Sequence, residues 1–240
     1  MSIVAGAVVL STAAALTGCS HDDAPLPLTS LVLAGDALPV GYSVVPAAVD
    51  DMVDANKATL AQATTVSFDP AECKPTADAE FNPQLTSDNT VLLVGQSDSA
   101  VLSEVVSTVV RDVDADRRAT TGPCRVVAAT PSKGTLAGAR IVTTTDELKS
   151  PADKSVEQAL VVRQNSVTTL VDGGVRSTVI LLATVLVHRP GGSTVTLQLS
   201  VGTSGGQVTP AGQTPPQAAP PMSDGEFSEL VDKAVARAAR

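Results

Sequence analysis

The sharpest hydrophobic pattern lies in three β-rich runs, residues 159–171, 175–188 and 194–201, separated by Asp172-Gly173-Gly174 and by Arg189-Pro190-Gly191-Gly192-Ser193. Glycine supplies the positive φ that tight hairpin connections demand, so the spacing predicts an antiparallel meander. Its middle stretch, 179–187, reads VILLATVLV and is apolar on both faces of a strand. Both faces therefore need cover, by helices on one side and by side chains or a guest molecule on the other.

The flanking chain supplies candidates for that cover. Pro46 suits a first helical position, and Asp50, Asp51 and Asp54 suit the positive end of a helix dipole. A helix over 46–60 follows, with Val49, Met52, Val53 and Leu60 as its buried stripe. At the other end, Ser223 and Glu226 form a capping-box pattern. Phe227, Leu230, Val231, Ala234, Val235 and Ala238 recur at helical spacing behind it, and Lys233, Arg237 and Arg240 suit the negative C-terminal end. Between these helices, strands are expected over 64–68, 91–94, 101–110, 125–129 and 139–144, with a short exposed helix over 111–120. The fold class is α+β: a curved antiparallel sheet with a C-terminal meander, packed by an N-terminal and a C-terminal amphipathic helix. Residues 202–222 are rich in Gly, Pro, Gln and Ala, which predicts a linker or mobile loop.

The first nineteen residues, MSIVAGAVVLSTAAALTGC, carry no charge and are mostly small or apolar. They are too short and too rich in Ala, Gly and Ser for a stable membrane span, which needs about 20 strongly apolar residues. They end in Leu16-Thr17-Gly18-Cys19, which resembles the bacterial lipobox. That resemblance implies a signal peptide over 1–18, cleavage before Cys19, lipid on the Cys19 thiol, a tether over 19–27 and one domain over 28–240. Localisation follows: the outer face of the cell membrane, with the membrane as partner through the lipid. The segment lacks the Lys or Arg usual in a signal peptide's n-region.

Formal charge is −9, from 25 acidic against 16 basic side chains, with Arg117 and Arg118 the one adjacent basic pair of arginines. Scattered cations do not grip a polyphosphate, so nucleic acid is not an expected partner. The same acidity disfavours a peripheral grip on anionic lipid. One acyl chain binds a bilayer at only about 10⁴ M⁻¹, but two or three hold without help. Once Cys19 is assigned to the anchor, Cys73 and Cys124 remain. In an oxidising exported compartment an even remainder reads as a disulfide, and closing 51 residues of chain contributes about 4 kcal/mol in the loop-closure picture. A zinc site would need His21 and His188, whose spacing is not that of a ligand set.

Each candidate for chemistry has a plain structural reading beside it. Asp112-Val113-Asp114-Ala115-Asp116 opens like a calcium loop, but the sixth position is Arg117 instead of glycine and the twelfth is Pro123 instead of glutamate. A capped helix start explains it. Asp50, Asp51 and Asp54 have the same explanation. Gly95-Gln96-Ser97-Asp98-Ser99 lacks the second glycine of a nucleophile elbow, and His188 ends a strand beside a turn. No phosphate loop, dinucleotide fingerprint or metalloprotease motif occurs, so no enzyme activity, cofactor or metal is expected.

The lipobox, the segment LVLAGDALPVGYSVVP, a cysteine after a short strand, a second before RVVAAT, the hairpins and the terminal amphipathic helix together resemble mycobacterial and related actinobacterial lipoproteins of unknown function. That group is similar to the extracellular sensor domain of the PknH-type receptor serine/threonine kinases. The resemblance spans about residues 28–240. It implies an exported, sensor-like domain; two disulfides are the rule in the kinase sensors, and here one pair is available. The expected function is non-catalytic binding of a lipid or small envelope ligand beside the sheet around 175–201. An interaction module for another envelope protein is the alternative. A hydrolase would need His188 within reach of a serine.

Overall fold

The computed structural model of this chain describes residues 27–205, 208–213 and 218–240. The proposed signal segment, Cys19, His21 and all of the tether but Pro27 lie outside the described residues. In chain order the elements are β1 (Ser43–Val45), α1 (Val49–Ala63), β2 (Val66–Asp69), α2 (Ala77–Phe81), β3 (Thr90–Gln96), β4 (Ala100–Ser107), α3 (Val113–Thr120), β5 (Val126–Pro131), β6 (Arg140–Glu147), β7 (Val156–Thr169), β8 (Val175–His188), β9 (Thr194–Thr203) and α4 (Asp224–Ala238). No described helix is long and apolar enough to cross a membrane.

All nine strands form one open, curved, antiparallel sheet in the order β1-β3-β4-β9-β8-β7-β6-β5-β2. The expected meander is present as β7, β8 and β9. Its turns hold Gly173, Gly191 and Gly192 at φ of 83°, 89° and 87°, values that a side chain at Cβ would oppose. Within the expected loop 202–222, two described stretches are tied to the sheet. Strand β9 runs on to Thr203, and Thr209 pairs with Val175 through two backbone hydrogen bonds of 2.9 and 2.8 Å. An added Cβ at Gly174 would sit 2.9 Å from Val208, so the missing side chain lets this loop lie against the β7–β8 turn.

Strand alternation gives the sheet two chemically different faces. On the first, Leu181, Ala183, Val185 and Val187 of β8 meet Val201, Leu199, Leu197 and Val195 of β9 across the ladder. The predicted stripe of α4, Phe227, Leu230, Val231, Ala234, Val235 and Ala238, is buried on this face together with Leu31, Val32 and Leu33. The α4 capping box is formed: Ser223 Oγ accepts from the Glu226 amide at 3.2 Å, and Glu226 accepts from the Ser223 amide at 2.8 Å. Two of the orphan donors at this helix end, the amides of Ser223 and Glu226, are thus satisfied.

The second face is where expectation and structure part. Helix α1 starts at Val49, not Pro46, because its N-cap is Ala48 in extended conformation with no side-chain cap bond. Val49, Met52, Val53 and Leu60 do face inward, but all stay half-buried and α1 buries no residue fully. It packs on β3 and beside Leu92, Val94 and Val105, which are second-face positions. The two amphipathic helices therefore sit on opposite faces. Helix α3, expected to be exposed, instead supplies cover: Val113 and Ala115 are buried, and Val113 packs with Leu160, Val162 and Leu186. Val113 and Ala115, two apolar side chains on an otherwise polar helix, seat it on the sheet.

Candidate functional site

A cavity of about 350 Å³ opens between the second face and the segments that cross it. Its floor comes from β5 to β9, with Phe68 of the rim strand β2 beside it. Its roof is built from α3, the start of α2 and the Cys73–Cys124 disulfide. That disulfide is formed as the cysteine count implied, and both cysteines are buried. It joins two single 3-10 turns, Ala71–Cys73 and Gly122–Arg125, so it holds two short segments that have little core of their own over the sheet.

Arg111 is the main charged group of the wall. It is only 6% exposed. Its Nε and Nη2 donate to the two oxygens of Asp116 at 2.6 and 2.7 Å, and Nη2 donates also to Asp78 at 2.8 Å. The guanidinium carbon lies 5.1 Å from the centre of the Phe81 ring, within cation–π range. Burial alone would lower its pKa, but the bonds to Asp116 and the charges of Asp116 and Asp78 outweigh that and raise it. Arg111 thus stays charged, with its two carboxylates as counter-ions. Nη1 is sealed from solvent and has no acceptor among the described residues. Arg117 fastens α3 from the other side, donating to Glu147 and, at 2.7 Å, to the Ala159 carbonyl.

The floor mixes apolar and neutral polar positions in a regular way. Leu160, Val162 and Leu182 form an apolar strip. Thr145 and Gln164 are cross-strand neighbours at one end of it, and Thr184 and Gln198 are cross-strand neighbours at the other. All four line the cavity, and their side chains have no hydrogen-bond partner among the described residues. None of these four side chains is sealed away either, so each can offer a donor and an acceptor to a guest. Thr143 also faces the cavity but is spoken for, at 2.8 Å from the Ser166 hydroxyl.

The residues singled out from sequence have other roles. Asp112 caps α3 by accepting from the Ala115 amide at 2.8 Å, and Asp116 holds Arg111. That is a capped helix with an ion pair. Ser97 lies in the β3–β4 hairpin turn, its amide bonded to the Ala100 carbonyl at 2.9 Å. The His188 Nδ1 meets Glu157 at 3.1 Å on the surface, with Thr194 donating to the same carboxylate oxygen. The structure does not bring Asp50, Asp51 and Asp54 together with a further ligand: Asp54 pairs with Lys57 at 3.1 Å, and among the described residues no group of three or more His, Cys, Asp or Glu is placed to hold a metal. Sequence reading missed Arg111, Thr145, Gln164, Thr184 and Gln198. A signal for Thr184 was there, since it interrupts the apolar face of Ile180, Leu182 and Leu186 on β8, whereas Gln198 shares its face of β9 with Thr194, Thr196 and Ser200 and does not stand out.

No protein-family model matches the chain, and no curated protein matches it. Among solved structures it is similar to an uncharacterized protein of Mycobacterium smegmatis, the Rv0999 ortholog, determined by X-ray crystallography. The likeness has a TM-score of 0.42 at 13% identity, over 85% of this chain and 92% of that one.

Proposed function

We propose that this protein is a non-catalytic, sensor-like binding domain, exported and held on the outer face of the cell membrane by lipid on Cys19, with the second-face cavity as its binding site. The carrying observation is the cavity of about 350 Å³ beside β8, within the size range of small-molecule sites, about 300–1,000 Å³. Its apolar strip flanked by unengaged hydroxyl and amide groups is the lining expected for a molecule with an apolar body and a few polar groups. The lipobox and the likeness to actinobacterial lipoproteins and PknH-type sensor domains support the same reading.

The test is to purify the protein from its native envelope and analyse extracted small molecules by mass spectrometry, beside a Leu182→Trp variant whose larger side chain fills the strip. A molecule retained by the wild type and absent from the variant is the expected result. Equal extracts from the two proteins would overturn the reading. The alternative, an interaction module for another envelope protein, is favoured by the loop before β1. Val40 there is fully exposed, beside a hollow of about 400 Å³ that includes Leu38, Tyr42 and Met222.

A further inference from the structure

We propose that the second-face cavity selects an uncharged amphiphile, a lipid-like molecule whose polar end carries hydroxyl and ester groups, and discriminates against fatty acids and other anionic lipids. This rests on the cavity being a binding site, and it adds the chemical class of the occupant.

The first argument is charge. Among the described residues, the charged side chains of the wall are Arg111, Asp78 and Asp116, one cation against two anions. Arg111 would be the natural receptor for a carboxylate or phosphate, but Asp116 occupies the two-pronged edge of its guanidinium and Asp78 shares Nη2. The remaining nitrogen, Nη1, is closed off from solvent. An anionic headgroup would find no free cation and would sit near two carboxylates, an arrangement that electrostatic complementarity selects against. A cationic headgroup gains little in return. Asp116 is already neutralised, and the Asp78 side chain is half-exposed at 51%, where water screens an ion pair to a small contribution.

The second argument is the polar groups that remain. Thr145, Gln164, Thr184 and Gln198 are neutral, and each can both donate and accept. Hydroxyl groups make the same double demand; a carboxylate only accepts. The two pairs stand four residues apart along the strands, since Gln164 is opposite Ile180 and Leu160 is opposite Thr184, which is a separation of about 14 Å. Val162 and Leu182 lie between them, and Leu160 stands level with Thr184. A molecule with a hydrocarbon stretch and hydroxyl or ester oxygens matches that sequence of apolar and polar floor. The space equals about a dozen water molecules by volume, which suits a short amphiphile or part of a longer one.

Three probes with one ten-carbon chain isolate the headgroup: 1-monodecanoylglycerol, decanoate and decylamine, each titrated calorimetrically below its micelle concentration into the whole protein at neutral pH. The ester is expected to bind at least about tenfold more tightly than either charged probe, one factor of ten being a modest electrostatic difference at a desolvated site. Gln198→Leu should weaken the ester about three- to tenfold, the scale of one neutral hydrogen bond. Asp78→Asn should narrow the gap by improving decanoate. Decanoate or decylamine binding as tightly as the ester would overturn the selection while leaving the cavity a binding site. No heat with any probe, in wild type and in Leu182→Trp alike, would overturn the binding site itself and the selection with it. Thermal unfolding of each variant confirms that the comparison is between folded proteins.

Discussion

Glu104 is fully buried on β4 beneath the N-terminal segment, where one oxygen accepts from the Leu33 amide at 2.8 Å and the other has no partner among the described residues. Burial pushes its pKa from 4.5 up to about 7, against the opposing pull of the Leu33 hydrogen bond and the Arg237 charge. In the unfolded chain the same carboxyl titrates at its ordinary value, so between the two values the native state holds a proton that the unfolded state has lost. Stability therefore falls as pH rises through that interval; the contribution is complete below 4.5 and gone above about 7. At about 1.4 kcal/mol for each pH unit, that interval is worth about 3 kcal/mol. Glu104→Gln keeps the shape and an acceptor for Leu33 but carries no charge. Urea unfolding of both proteins across pH should find them equally stable near about pH 4 and the variant more stable by about 3 kcal/mol near about pH 8. Taking the difference between the two proteins cancels every other titrating group. A difference that does not change with pH, or one that favours the wild type at high pH, would refute the reasoning.

Replacing Cys73 and Cys124 together by alanine should cost about 4 kcal/mol of stability through the freed 51-residue loop, read as a lower urea midpoint. Because the bridge joins the roof of the cavity, the same variant should bind 1-monodecanoylglycerol more weakly; unchanged affinity would show that the roof holds without it. Cys19→Ala should move the protein out of the membrane fraction or leave an uncleaved precursor, and mature-sized, membrane-bound protein would rule out the lipid anchor.

The meander and α4 were legible because local chemistry determines them. Asp172-Gly173-Gly174 and Pro190-Gly191-Gly192 force turns, and Ser223 with Glu226 starts a helix whose apolar stripe has one obvious destination. What covers the second face was not legible. Val49, Met52, Val53 and Leu60 of α1 read as a core stripe, yet they rest on β3 only half-buried. Helix α3 looked solvated by composition, and its seat depends on Val113 reaching Leu160 and Leu186, residues more than 40 positions away in sequence. The cavity wall has the same character. Thr184 could be noticed as a polar interruption, but Gln198 sits on a face of β9 that is polar throughout, Arg111 joins the site through its contacts with Asp116, Asp78 and Phe81, and Thr145 and Gln164 join it through the β6–β7 register.

The strand order carries a consequence for how the molecule is assembled. Strands β1 and β2 are the first to be synthesised, yet they end on opposite rims of the sheet, and the strand that joins the halves, β9, is the last. Before β9 is in place there are two separate ribbons, β1-β3-β4 and β8-β7-β6-β5-β2, with no backbone hydrogen bond between them. Residues Ala100 to Ser107 then wait for partners that lie 89 to 103 positions further on, which makes that seam a late and slow closure. Pulse-labelled hydrogen exchange during refolding should find the amides bonded between β7 and β8 protected before the β4 amides that bond to β9, and simultaneous protection would contradict this order. A chain released before Thr194 could fold its hairpins on either side and would lack the strand that hydrogen-bonds them into one sheet.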